Sequence, residues 1–227
     1  MNGFNVTDGI DMDEFPLRLY KYRALEPFEY IADIICENRF HTAQFFDLND
    51  PMEGLFNIKG EMKEEYMKKI KEAKERVRIC SFSRTATHPV LWAHYASGFK
   101  GMCIEVEFRG TGPGFDLASV DYTSSRSVIR PEQAEVTCLL PHTLLVRKAE
   151  DWELEQEVRA FASDEFICCR NSMKITRVLL GLRTPCVMQR LIRQITPPHV
   201  PVCRTRIGEQ NEIEVDREIL LAENKAS

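Results

Sequence analysis

Glu155 and Glu157 stand two residues apart in the tract KAEDWELEQEVRAF, which runs from Lys148 to Phe161, with Trp152 before them and Arg159 after. If Glu155 to Phe161 is a strand, Glu155, Glu157 and Arg159 share one face, because side chains alternate along an extended chain. Two carboxylates on one face repel each other, and a cation such as Arg159 beside them offsets that cost. Sugar chemistry uses such an arrangement: a carboxylate holds a ribose hydroxyl and stabilises an oxocarbenium-like transition state. The plainer reading is a solvated strand face with an ion pair to Arg159.

A second concentration of reactive and aromatic groups is RICSFSRTATHPVLWAHYASGFKGMCIEVEF, from Arg78 to Phe108. It reads as strand, short helix, strand, with Trp92, His94 and Tyr95 inside one helical turn and Ser81-Phe82-Ser83 at the end of the first strand. Flat apolar walls with a few fixed polar groups suit a small-molecule pocket. The alternative is a core-packing helix whose histidine is satisfied. A third group, Asp47, Asn49, Asp50 and Glu53 in DLNDPMEG, offers oxygen ligands for a hard cation. It lacks the glycine and distal glutamate of an EF-hand loop, so turn bonds and helix capping are expected there and no metal site.

These residues need elements to hold them. Leu17 to Tyr22 alternates apolar and basic residues like a half-buried strand. Pro27 opens a helix continued by FEYIADIICEN, and Arg39 to Phe46 reads as a short strand. Glu61 to Arg78 is an amphipathic helix with Met62, Tyr66, Ile70, Ala73 and Val77 in one stripe and supporting pairs Glu64–Lys68, Glu65–Lys69 and Glu72–Arg76. Strands are expected at Arg78 to Ser83, Met102 to Phe108, Ser119 to Thr123, Thr143 to Lys148, Glu157 to Ala162, Ile175 to Gly181 and Val200 to Arg206. Thr87 is expected to cap a helix opened by Pro89 and ended by Gly98 and Gly101, and Thr184 to Gln194 forms another helix. Gly110 to Gly114 (GTGPG) resembles a phosphate loop, but Pro113 removes an amide and no helical pattern follows, so it reads as a hairpin loop. The sum is a single mixed α+β domain over residues 16–208, with a predominantly antiparallel sheet and flanking helices, a loose arm over 1–15 and a charged tail over 209–227.

Of the 227 residues 44% are hydrophobic and 29% charged, the balance of a globular chain and not of a disordered one. No apolar run approaches the roughly 18 residues of a membrane span, and the acidic start lacks the basic flank and apolar core of a secretory signal. Of the eight cysteines, which form no CxxC pair, six are scattered among apolar residues and Cys168 and Cys169 are adjacent, a geometry that rarely bridges; this points to reduced thiols, a cytoplasmic setting and no structural zinc. The net charge of −5 argues against a general polyanion binder. Yet residues 166–208 contain no acid and eight basic residues, among them Arg170, Lys174, Arg177, Arg204 and Arg206. Such a stretch either builds a positive face for nucleic acid or pairs with acids elsewhere.

The tracts LYKYRAL, FFDLNDPMEG, CSFS with LWAHYASGFKGMCIEVEF, KAEDWELEQEVRAF and VLLGLR occur in this order in a microbial family catalogued as domain of unknown function 2971, which the chain resembles over nearly its whole length after residue 16. The order of parts also resembles the ADP-ribosyltransferase fold. In that fold a first strand carries an anchoring Arg or His, a central strand ends in Ser-Thr-Ser before a helix that cradles nicotinamide, and a late strand bears a Glu within Glu-x-Glu. Phe82 stands here where the middle Thr would be, and Lys21 where one branch has His. The resemblance implies an NAD-dependent ADP-ribosyltransferase-like enzyme. Glu157 would hold the nicotinamide ribose and Glu155 would polarise the acceptor. Lys21, Tyr22 and Arg23 would anchor the dinucleotide, while Ser81, Ser83, Trp92, His94 and Tyr95 would line its pocket. Two other readings remain open: a nucleic-acid-binding or cleaving component of a phage-response system, and a non-enzymatic module that binds a nucleotide or a protein.

Overall fold

A computed structural model describes residues 10, 12–48, 50, 52–61, 64–112, 114–129, 140–169 and 171–216. The protein is α+β, with mostly antiparallel pairing and flanking helices. In chain order its elements begin with β1 (Leu17–Arg23), α1 (Glu29–Ile35), β2 (Arg39–His41), β3 (Ala43–Gln44), β4 (Phe56–Ile58), α2 (Glu64–Arg76) and β5 (Arg78–Ser83). There follow α3 (Pro89–Tyr95), β6 (Met102–Phe108), β7 (Phe115–Ser119), β8 (Asp121–Tyr122), β9 (Ser127–Ile129), α4 (Leu140–Leu145) and β10 (Arg147–Lys148). The last are β11 (Glu157–Ala162), β12 (Phe166–Cys168), β13 (Met173–Leu180), α5 (Cys186–Ile195), β14 (Val202–Ile207) and β15 (Ile213–Val215).

The chain groups into two compact units. The first comprises Met1–Phe15, His41–Ser81 and Thr111–Ile167; the second comprises Pro16–Phe40, Phe82–Gly110 and Cys168–Ser227. In the first, β11 lies between β5 and β7, and β3 pairs with the start of β5. Ile79, Ala118, Leu145 and Phe161 form one apolar cluster there, and Ile70 packs with Leu144 in another.

In the second unit the order is β15, β14, β13, β6, β1, antiparallel except for β13 with β14. Register places Arg18, Glu107 and Lys174 in one cross-strand row and Tyr20, Glu105 and Arg177 in the next, so opposite charges face each other across the strands. Glu105 is buried and accepts hydrogen bonds from Thr176 Oγ1 at 2.8 Å, from Tyr20 at 3.3 Å and from Arg177.

Between α3 and β6 the chain takes three left-handed residues in succession: Ser97 (φ 49), Gly98 (φ 62) and Phe99 (φ 69). This turn ends the helix and lays the Phe99 ring parallel to Trp92, 6.1 Å between centroids. The returning backbone leaves no room for side chains at two glycines. A Cβ on Gly101 would lie 2.3 Å from the Arg23 carbonyl oxygen, and one on Gly181 would lie 2.1 Å from that of Phe99.

Several elements depart from the sequence pattern for identifiable reasons. The expected strand from Arg39 to Phe46 breaks at buried Thr42, whose hydroxyl donates to the Asp164 carbonyl at 2.7 Å and whose own carbonyl is held by Arg78 at 2.9 Å; a 3-10 turn over Phe45–Asp47 follows. Thr143 to Lys148 is not one strand. Leu144 and Leu145 belong to α4, which lets them enter two different apolar clusters, and only Arg147 and Lys148 are extended. Ser119 to Thr123 divides at Val120, where pairing passes from β11 to β10. Thr87 is not the cap of α3; His88 holds that position without a side-chain cap. The Tyr22 hydroxyl does the fastening, donating to the Thr85 carbonyl at 2.9 Å and accepting from the His88 backbone. Along α2, Glu65 pairs with Lys69 at 2.7 Å as expected, while Lys68 reaches Glu72 at 3.9 Å and not Glu64.

Candidate active site

The first unit buries five charged side chains against one another: Glu53 at 5% exposure, Lys148 at 8%, Glu155 at 5%, Glu157 at 5% and Arg159 at 1%. Ions this deep persist only when paired and hydrogen-bonded. Lys148 Nζ is the hub, 2.6 Å from Glu155, 3.3 Å from Glu157 and 3.4 Å from Glu53, and it lies 4.8 Å from the Trp152 ring centroid. The Arg159 guanidinium grips both oxygens of Glu157, Nε to Oε1 at 2.8 Å and Nη2 to Oε2 at 3.0 Å, and reaches Glu53 at 2.6 Å. Its remaining nitrogen donates to the Leu145 carbonyl. The Glu157 backbone N–H donates to the Tyr122 hydroxyl at 2.7 Å, and the Ser81 side chain hydrogen-bonds the Glu157 carboxylate.

Local structure explains how these groups meet. Glu157 and Arg159 alternate on β11 as the sequence pattern implies. Glu155 is not on that strand, which corrects the extended reading of Glu155 to Phe161. It closes a 3-10 turn over Glu150–Glu155, and Gln156 turns the chain in the left-handed region at φ 46. Lys148 comes from β10, one turn earlier. Glu53 comes from the DLNDPMEG turn, where the Asp50 carboxylate accepts the Met52 N–H at 2.8 Å, a side-chain-to-backbone turn bond of the kind expected there. Asn49 lies outside the described residues. Among the described residues no three His, Cys, Asp or Glu side chains are arranged to hold a metal ion.

Three carboxylates face two cations, so the fully ionised cluster carries one negative charge in excess. Burial by itself would raise the Glu157 carboxyl; Arg159, Lys148 and the Ser81 bond outweigh it and pull that group down to about 2. Burial pushes the Glu53 carboxyl up, Arg159 and Lys148 pulling against it and the Glu157 charge adding to it. Of these two, Glu53 is the one that takes up a proton more readily, and Glu157 keeps its charge at neutral pH. Burial would lower Lys148 and Arg159, but the carboxylates around them hold both above their ordinary values.

This arrangement has a measurable consequence in acid. Glu157 has a lower pKa in the folded chain than in the unfolded one, so its contribution is complete above about pH 4.5 and fades as the pH falls through about 2. Its size is about 3 kcal/mol. Glu53 has the opposite sign, since its native state holds a proton more readily, and it favours the fold at lower pH. The urea midpoint of the wild type should fall between pH 4.5 and pH 2, and Glu157→Gln should flatten that fall. Parallel slopes for the two chains would show that the Glu157 ion pairs are not formed.

The other residues singled out in the sequence lie in the second unit. Trp92 is fully buried, its indole N–H donating to the Ala86 carbonyl at 2.8 Å, with Phe99 stacked on it and Tyr22 edge-on at 5.3 Å. It anchors α3. His94 is exposed and packs edge-on against half-buried Tyr95 at 6.1 Å. Ser83 is buried at the end of β5, where it pairs with Tyr20, and its hydroxyl accepts the Thr85 N–H at 3.1 Å. Register sends Lys21 and Arg23 to one face of β1 and Tyr22 to the other. Lys21 sits over the Phe82 ring at 5.7 Å, and Arg23 over Tyr30 at 5.5 Å. The Arg23 Nε is buried without a hydrogen-bond partner among the described residues.

In the basic stretch, Arg177 is paired with Glu105, Arg206 with Glu214 at 2.8 Å, and Arg204 donates to the Leu182 carbonyl at 3.0 Å. Arg170 lies outside the described residues. Cys36, Cys80, Cys103, Cys168, Cys169, Cys186 and Cys203 are free thiols, and Cys138 lies outside the described residues. No helix among the described residues is long and apolar enough to cross a membrane.

Sequence reasoning singled out Glu155, Glu157 and Arg159 together, but not Glu53 or Lys148 as their partners. The one signal for Lys148 was local: between Lys148 and Phe161 it and Arg159 are the two cations among five acids, Glu150, Asp151, Glu153, Glu155 and Glu157. Comparison with protein-family models gives no match, and none is found among curated proteins or solved structures.

Proposed function

We propose that the protein is an NAD-dependent ADP-ribosyltransferase-like enzyme in which Glu157 is the catalytic residue. The observation that carries this reading is the hydrogen bond between Ser81 and an ionised, doubly gripped Glu157, two residues that the resemblance names independently. The segments that the resemblance orders also supply the expected elements: LYKYR on β1, Ser81-Phe82-Ser83 at the end of β5, His94 and Tyr95 on α3, and Glu157 at the start of β11. In the reaction the bond from ribose to nicotinamide breaks, its electron pair leaves with the nicotinamide, and positive charge develops on the ribose. A fixed, charged Glu157 opposes that charge. The excess negative charge of the cluster favours a cationic centre beside it. Glu155 acts on the acceptor, whose proton it takes up. In the second unit, Lys21 and Arg23 are cations of the kind that bind pyrophosphate, and the buried Arg23 Nε has no hydrogen-bond partner among the described residues. A cytoplasmic setting, where NAD is abundant, goes with this reading.

The test is release of free nicotinamide from NAD labelled in its nicotinamide ring, with calorimetry for binding. Label release that rises with protein concentration supports the reading. Neither heat of binding nor release, in the presence of a bacterial lysate as acceptor source, overturns it.

A further inference from the structure

Lys74 is buried in the first unit and pairs with no carboxylate among the described residues. Its Nζ lies 4.0 Å from the Phe45 ring centroid and 5.9 Å from that of Phe56, and it donates to the Gly54 carbonyl at 2.9 Å. A buried ammonium with one neutral acceptor and two rings is a costly way to fill space that a methionine would fill. What it holds is a turn with little slack. The Glu53 N–H donates to the Asp50 carbonyl at 3.1 Å, and Gly54 takes φ 63. A Cβ at Gly54 would stand 3.0 Å from both Lys74 Nζ and the Phe45 ring. The Glu53 carboxylate leaves this turn toward Arg159 and Lys148.

We propose that Lys74 is a positioning residue: by fastening the Gly54 carbonyl it fixes the turn that delivers the Glu53 carboxylate to Arg159 and Lys148. Lys74 touches none of the cluster's charged groups and acts on them through two residues of backbone. The assignment of Glu53 to the cluster follows from the geometry alone; only the effect on turnover rests on the enzymatic reading above.

The experiment uses the full chain with carbon-13-labelled glutamate carboxyls, the Glu53 resonance being assigned by its loss in Glu53→Gln. In the wild type Glu53 titrates above an ordinary glutamate, facing Arg159, Lys148 and Glu157. In Lys74→Met, whose side chain suits the Phe45 and Phe56 surroundings, Glu53 should return to the ordinary range while Glu157 stays low. Lys74→Gln, a neutral and shorter donor, should give a smaller shift in the same direction, and it serves as the second variant if Lys74→Met does not fold. A Glu53 titration unchanged from wild type in either folded variant overturns the proposal. NAD consumption should fall at least tenfold in Lys74→Met. A wild type that never consumes NAD removes the enzymatic reading and leaves the Glu53 titration as it was, so the two ideas fail separately.

Discussion

Glu157→Gln should lower NAD consumption at least a hundredfold while the chain remains folded. A positioned charge that opposes developing positive charge is worth on the order of 3 kcal/mol in a barrier, and each 1.4 kcal/mol or so is a factor of ten. The substitution keeps the shape of the side chain and removes only the charge. It also leaves Glu53 and Glu155 facing Lys148 and Arg159, a balanced set, so the buried cations are not stranded. Circular dichroism and a melting curve on the same sample separate lost chemistry from lost structure. Turnover equal to wild type in a folded Glu157→Gln chain would end the catalytic assignment of this residue.

Arg159→Met should cost about 4 kcal/mol of stability, because breaking a buried ion pair leaves uncompensated charge in the interior. Three carboxylates would then share Lys148 alone, and the Leu145 carbonyl would lose its donor. For a chain of this length the melting temperature should drop by roughly 8–16 °C. Removing the partner as well, in Arg159→Met with Glu157→Leu, should recover about half of the loss, since an apolar pair of similar volume carries no desolvation penalty. A melting temperature within a degree or two of wild type for the single variant would show that Arg159 is not the buried clamp described here.

Strands β5, β6 and β11 were legible in the sequence with the bounds they have in the fold. β6 lies between Gly101 and Gly110, a Ser-Asp pair follows β11 after Ala162, and β5 is followed within six residues by the Pro89 that opens α3. Where the pattern misled, a contact distant in sequence had overridden it. Thr42 is bent by Asp164 and Arg78, and the leucines of α4 are divided between two apolar clusters. The cluster was half legible for the same reason. Alternation along β11 put Glu157 beside Arg159, but nothing local says that a turn near residue 53 supplies a third carboxylate, or that Lys148 sits among all three. That information lies in packing, which periodicity does not encode.

Each compact unit is stitched from three separate stretches of chain. A polypeptide emerging from the ribosome therefore completes neither half early. Residues to Ile167 must be out before the first has all its pieces, and β13, β14 and β15 must follow before the second does. No truncation at a single point liberates an intact half, and a nascent chain stalled midway exposes unfinished edges on both.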